Sequence, residues 1–335
     1  MRKALSVLMT SAVAVASLIA APAAYATNID GDGSSYAGKM INQCITTFSD
    51  HKVTYGSAGS TTGLSKYADG AVDFAGSDYP YLSNPPKNMT YVPLVGGPIA
   101  ISWNVPGVRS LNLNAKILSD IYTGKITKWN DKAIKAVNKG VVLPNKAIVP
   151  IYRKDGSGTT YNFLSYLNEN VPNTWKLDPK FINANANVKG IQGDKNQGVA
   201  AEIKKNAYSI GYIDLADANA NKFPVASVLN GSGQYIKASV PTTKLFMLSS
   251  AHKLDSAGVV DFDYKAKVRG AYPIVLIAYG VAPTAGGNAE ATAVKEFFNY
   301  VVNTCVPQYG AKLGYMPFTG TKFLAVANTA IAKIK

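Results

Sequence analysis

Apolar and polar positions along this chain follow two alternating rhythms. Over residues 37–48, Ile41, Cys44, Ile45 and Phe48 recur at helical spacing. Over residues 289–305, Val294, Phe297, Phe298, Val301, Val302 and Cys305 do the same. Between these two helices, short apolar runs predict strands over 52–55, 71–76, 147–152, 209–215 and 272–282. Further helices are predicted from residue 61 to about 68, and over 111–122, 131–137, 161–167 and 198–205. Residues 91–104 are largely apolar and contain Gly96-Gly97-Pro98, which fits one strand or two. The signals over 216–267 are mixed and predict no element. Strands alternating with helices, with no repeat or low-complexity tract, predict an α/β fold.

The first 26 residues follow another pattern. Arg2 and Lys3 precede an apolar stretch over residues 5–21, and Ala24-Tyr25-Ala26 offers a small-x-small cleavage site. This is the build of a cleavable secretory signal, with Thr27 opening the mature chain. The stretch is short for a membrane span, and no cysteine follows it to mark a lipoprotein. The expected location is therefore periplasmic or extracellular. The remainder has room for two domains of about 150 residues each.

The formal net charge is +14, to which Arg2 and Lys3 contribute two. The lysines are scattered, with no run of five, so the charge reads as a solvated basic surface that can steer anions, and no nucleic-acid partner is expected. The chain has two cysteines, Cys44 and Cys305, each on the apolar face of a predicted helix. They are either two buried thiols or a disulfide joining the first and last helices; export favours the disulfide. With two histidines and this cysteine spacing, no metal site is expected.

Candidate chemistry lies in three glycine/serine loops that each precede a helical run. They are Gly31-Asp32-Gly33-Ser34-Ser35-Tyr36, Gly56-Ser57-Ala58-Gly59-Ser60 and Asp155-Gly156-Ser157-Gly158-Thr159. A helix N-terminus presents unpaired N–H groups and the positive end of the helix dipole, and glycine lets that backbone approach an anion closely. Arg153, at the end of a strand beside the third loop, adds a planar charged fork suited to phosphate oxygens.

Together with Val72-Asp73-Phe74-Ala75-Gly76-Ser77-Asp78, Ser209-Ile210-Gly211-Tyr212 and Leu118-Ser119-Asp120-Ile121-Tyr122-Thr123-Gly124-Lys125-Ile126-Thr127-Lys128-Trp129-Asn130, these loops make nearly the whole mature chain resemble the PstS family, the phosphate-binding proteins of ABC phosphate importers. The resemblance implies a two-lobed type II periplasmic binding protein with a ligand cleft between the lobes and a two-strand hinge. The lobes would comprise residues 27–102 with 275–335, and residues 103–274. It implies that Ser35, Tyr36, Ser60, Asp78, Arg153, Ser157, Gly158 and Thr159 bind phosphate, with Asp155 as the salt-bridge partner of Arg153. It further implies a monomer without cofactor that passes inorganic phosphate to the transmembrane permease subunits of an ABC importer. The first loop departs from the family in carrying Ser35-Tyr36 where Thr-Phe is common. Asp32 adds a carboxylate beside an anion loop; it faces solvent, pairs with a lysine or weakens binding.

Asp78 carries the expected selectivity. Phosphate at neutral pH retains a proton and sulfate does not. A buried carboxylate accepts a hydrogen bond from the first and meets the second as charge against charge. A site of this kind can reject the donor-less analogue by roughly 10⁴–10⁵-fold. Arsenate, protonated like phosphate, stays open as a ligand, and sulfate is the disfavoured alternative. A secreted phosphatase is the competing enzyme class. The chain has no G-x-S-x-G element and no histidine near the loops to activate a serine, so no enzyme activity is expected.

Overall fold

A computed structural model describes residues 27–249 and 252–335. The expected signal, residues 1–26, lies outside the described residues. Eight strands form one mixed sheet in the order Lys52–Gly56, Asn28–Gly33, Phe74–Ser77, Val275–Pro283, Met89–Asn104, Ser209–Asp214, Val149–Arg153, Ile191–Gly193. The three strands at each end of this order are mutually parallel. The two in the middle are antiparallel to each other and to their outer neighbours. The sheet therefore has two halves, each a parallel trio with its own helices, and Met89–Asn104 belongs to both. Residues 89–98 of that strand pair with Val275–Pro283, and residues 99–104 pair with Ser209–Asp214.

This shared strand is buried at every residue but its first and last. A strand covered on both faces needs an unbroken apolar run rather than alternation, and that is what residues 91–104 supply. Val275–Pro283 is likewise buried up to its last residue. One apolar core runs through both halves. Among the described residues no helix is long and apolar enough to cross a membrane.

Several elements differ from expectation. Asn28–Gly33 is a strand, although glycine and aspartate disfavour one and the sequence reads as a loop. Tertiary packing overrides propensity here: a Cβ at Gly31 would lie 2.2 Å from the ring of Phe74, and one at Gly33 would lie 2.0 Å from the carbonyl oxygen of Gly76. The expected long helix over 289–305 stops as an α-helix at Tyr300, passes through a π turn at Val301–Cys305, and resumes as Val306–Leu313. Pro307 lacks the N–H that an uninterrupted ladder requires, and the wider turn absorbs the break. A further helix, Lys322–Ala332, was not expected. Among the described residues of 216–267 are four three-residue strands, too short to show a period, the helix Leu215–Ala220, and the helix Val240–Leu248, whose apolar residues do not recur on one face. Cys44 and Cys305 form a disulfide, tying the first helix, Gly38–Ile45, to the π turn.

Candidate functional site

In an open α/β sheet, ligands bind beyond the carboxyl ends of parallel strands, where strand hands over to helix. Four such junctions meet here. Asn28–Gly33 leads through Ser34–Ala37 to helix Gly38–Ile45, and Lys52–Gly56 leads to helix Ser60–Ala68. From the other half, Val149–Arg153 leads to helix Gly158–Asn170, and Ile191–Gly193 leads to helix Lys195–Lys205. Their first residues touch across the two halves. The N–H of Gly158 donates to Ser60 Oγ at 3.2 Å, and the N–H of Asn196 donates to Ser35 Oγ at 3.3 Å. Four helix N-termini thus surround one small volume, a concentration of positive dipole ends that favours an anion.

Asp78 follows the strand Phe74–Ser77 directly and is almost completely buried. Ser34 Oγ donates to its Oδ1 at 2.5 Å, and its own N–H donates to Ser60 Oγ at 3.3 Å. Burial drives its carboxyl up to about 7; Ser34, the Arg153 charge and Ser60 pull the other way without cancelling that effect. Gly158 faces it from the other half, and a Cβ there would lie 2.4 Å from Asp78 Cβ and 2.8 Å from Oδ2. Only a residue without a side chain lets the helix come this close.

Arg153 is 1% exposed. Its Nε and Nη2 grip the two oxygens of Asp155 at 2.9 and 2.5 Å, a fork-to-fork pair, and Nη1 donates to Asn196 Oδ1 at 3.1 Å. Burial pushes the Asp155 carboxyl up, but the bonds and charge of Arg153 and the N–H of Lys195 outweigh it and hold the group below its usual range. Ser157 caps helix Gly158–Asn170 by accepting from the N–H of Thr160 at 3.2 Å, so Asp155 orients the arginine and is not the cap. Thr159 Oγ1 accepts from Asn196 Nδ2 at 3.4 Å. Both hydroxyls, used here as acceptors, keep a proton to donate.

Contacts across the two halves thus bring Ser60, Asp78 and Gly158 together, and Asn196 joins Ser35, Arg153 and Thr159, with Asp155 on the arginine and Ser157 capping the helix that carries Gly158 and Thr159. Tyr36 is different. Its ring turns away into the core, packs edge-on against Tyr315, and sends its hydroxyl to the carbonyl of Pro98 at 3.3 Å, so only its backbone remains with the loop. Asp32 does not compete with an anion. Its Oδ1 accepts from the N–H groups of Gly33 and Ala58, and Oδ2 pairs with Lys66 at 2.6 Å. Burial raises its carboxyl, yet Lys66 and those N–H groups win and lower it.

Asn196 was missed by sequence reasoning. It is fully buried and touches Ser35, Arg153 and Thr159, so it joins the first and third loops to its own helix start. Its signal was the glycine turn Gly190–Gly193 before a predicted helix, the same strand–turn–helix logic that marked the other loops. Lys195 just before it takes a left-handed φ of 61°, which aims its N–H at Asp155 Oδ1. Among the described residues no group of three or more His, Cys, Asp or Glu side chains is placed to hold a metal ion.

Comparison with known proteins agrees with this geometry. A family model for the PBP superfamily domain matches residues 19–304. The phosphate-binding protein PstS of Haemophilus influenzae is 35% identical over 241 residues, covering 69% of this chain and 70% of that protein. The PstS of Xylella fastidiosa Temecula1 is 32% identical over 306 residues, covering 86% and 81%. Among solved structures, a high-affinity periplasmic phosphate-binding protein bound with phosphate superposes with a TM-score of 0.71 at 19% identity, covering 90% of this chain and 93% of that one. An ABC-type phosphate transport receptor from Vibrio cholerae gives 0.56 at 17% identity, covering 86% and 99%. At these identities the two structures speak for the two-lobed fold alone. The chain belongs to the PBP superfamily and, within it, to the PstS family of phosphate-binding proteins.

Proposed function

We propose that this protein captures inorganic phosphate outside the cytoplasm and delivers it to an ABC-type permease. The observation that carries the reading is the buried Asp78 carboxylate, held by Ser34 and set opposite the Arg153–Asp155 pair inside a ring of helix N-termini. Cationic and N–H donors take the oxygens of a tetrahedral anion, and the one acceptor takes its proton. Ser35, the backbone of Tyr36, Ser60, Asp78, Arg153, Ser157, Gly158 and Thr159 supply the contacts. Asp155 fixes the guanidinium plane, and Asn196 holds that plane from its other edge.

In this reading the lobes are residues 27–102 with 275–335, and residues 103–274. Ser35, Ser60 and Asp78 stand on the first, and Arg153 and its loop on the second, so the ligand draws the lobes together about the two connecting strands. Permease subunits then meet the closed monomer. Turnover is not part of the function. Neither histidine stands beside the serines of the loops, since His51 pairs with Glu296 and His252 packs on Phe262 and Phe323, and the carboxylate that does reach a serine, Asp78, is the ligand's acceptor in this reading.

The test is calorimetry on protein unfolded and refolded to strip bound anion, titrated with phosphate and then sulfate. One-to-one phosphate binding with little or no sulfate heat is expected. Equal affinity for both anions would sink the role given to Asp78.

A further inference from the structure

Helix Gly158–Asn170 starts at the anion loop, and its fifth residue, Asn162, reaches back over the first turn. Asn162 Nδ2 donates to the carbonyl of Gly158 at 2.9 Å, an ordinary bond within the helix. It also donates to the main-chain carbonyl of Asp78 at 2.6 Å, in the other half of the sheet. Asn162 Oδ1 accepts from the hydroxyl of Tyr264 at 3.2 Å. Both amide donors and the amide acceptor are then in use, and a flipped amide would set its oxygen against two carbonyls and lose both of those bonds. The orientation of Asn162 is therefore unique.

Tyr264 is itself fixed. It is buried, and its single hydroxyl proton is shared between Asn162 Oδ1 and, at 3.1 Å, the carbonyl of Val275, the first residue of the strand Val275–Pro283. Its N–H donates to Glu169 Oε2 at 2.8 Å, in the last turn of the same helix that carries Asn162. One tyrosine thus grips both ends of that helix and the start of a connecting strand. Asp78 in turn is held three times: its carboxylate by Ser34 and its N–H by Ser60, both of its own half, and its carbonyl by Asn162 of the other.

We infer that Asn162 is a specificity-positioning residue, which fixes the Asp78 main chain only in the closed protein and so makes discrimination by the carboxylate depend on closure, with Tyr264 holding Asn162 in place. This rests on the reading that Asp78 accepts the proton of a bound tetrahedral anion. A bond to the carbonyl of Asp78 sets the direction of its Cα–Cβ vector, and the neighbouring Gly158 leaves that side chain no slack. Without Asn162 the carboxylate can withdraw from the anion, which costs the protonated ligand its acceptor and relieves the unprotonated one of repulsion.

The experiment compares wild type, Asn162→Ala and Tyr264→Phe by calorimetry with phosphate and with millimolar sulfate, after thermal melts establish that each is folded. Tyr264→Phe keeps the buried ring and removes only the hydroxyl, so it stays informative should Asn162→Ala fail to fold. The expected result for Asn162→Ala is phosphate binding weakened about 10-fold or more while sulfate binding is unchanged or stronger. Tyr264→Phe should show the same pattern as Asn162→Ala, phosphate weakened and sulfate unchanged or stronger, by a smaller factor. Equal weakening of both anions would reduce Asn162 to a structural role and overturn the inference, as would variants whose phosphate-to-sulfate ratio stays within about twofold of wild type. A wild type that takes up no phosphate would overturn the parent reading together with this one. A wild type that binds while the variants match it overturns this inference alone.

Discussion

Replacing Asp78 by asparagine should remove a pH dependence from the stability of the ligand-free protein. In the fold the carboxyl is raised from 3.8 to about 7, chiefly by burial. Between those values the folded chain keeps a proton that the unfolded chain has released. Stability therefore falls as pH rises through this window, and the contribution is lost once pH passes about 7. About three pH units at roughly 1.4 kcal/mol each make the effect about 4 kcal/mol. Glu169, also raised to about 7 by burial, and the buried Asp214, raised well above its ordinary value, add slopes of the same sign. Both are present in wild type and variant, so the difference between the two isolates Asp78. Urea unfolding in phosphate-free buffers from pH 4 to 8, followed by tryptophan fluorescence, reads this difference. With an m-value of about 2–3 kcal/mol/M the gap between the two midpoints should change by roughly 1.5 M across the series. Parallel midpoint curves would refute the reasoning, because they would mean that Asp78 is hydrated and ordinary in the folded chain.

Three further outcomes are expected. Acidification from pH 8 to 6 should strengthen sulfate binding about 10-fold in wild type, since a protonated Asp78 becomes a donor, and calorimetry on Asp78→Asn should show sulfate binding that is high and flat with pH. Gly158→Ala should leave the circular dichroism spectrum native yet weaken phosphate binding at least about 10-fold, because the new methyl would meet Asp78 Cβ at 2.4 Å; unchanged affinity would show that the halves need not approach so closely. Removing the Cys44–Cys305 disulfide, which spans 261 residues of sequence, should cost up to about 5 kcal/mol in denaturant unfolding on the chain-entropy account, and a loss below about 1 kcal/mol would show that the reduced chain stays compact when unfolded.

The sequence carried the architecture where elements were long. The largely apolar runs at 91–104 and 272–282 hold the two strands at the middle of the sheet, Met89–Asn104 and Val275–Pro283, and only their burial on both faces explains why they show no alternation. It failed where local preference and tertiary demand disagree. Asn28–Gly33 is a strand because Phe74 and Gly76 leave no room for side chains beside it, and no window of six residues contains that information. At the site, glycine loops signalled helix N-termini, but a side chain's direction is set by its neighbours in space. Tyr36 follows Ser35 in the same loop and yet belongs to the core beneath it. Asn196 bridges the first and third loops and looks in sequence like any polar residue opening a helix. Asp32 seemed a liability until its partners were visible, since Lys66 lies a full strand and helix further on.

The placement of Val275–Pro283 has a consequence for how the chain reaches its native state. This strand lies between Phe74–Ser77 and Met89–Asn104, at the middle of the eight-stranded order, yet it is contributed by the last fifth of the sequence. Until it arrives, the N-terminal strands have no common neighbour, and their two facing edges stay unpaired. Contacts of such sequence separation form late and slow the search for the fold. A nascent chain emerging from its N-terminus therefore lacks a finished first half of the sheet for most of its synthesis. Of the eight strands in that sheet this one is made last, so the two edges it fills are the last to be closed.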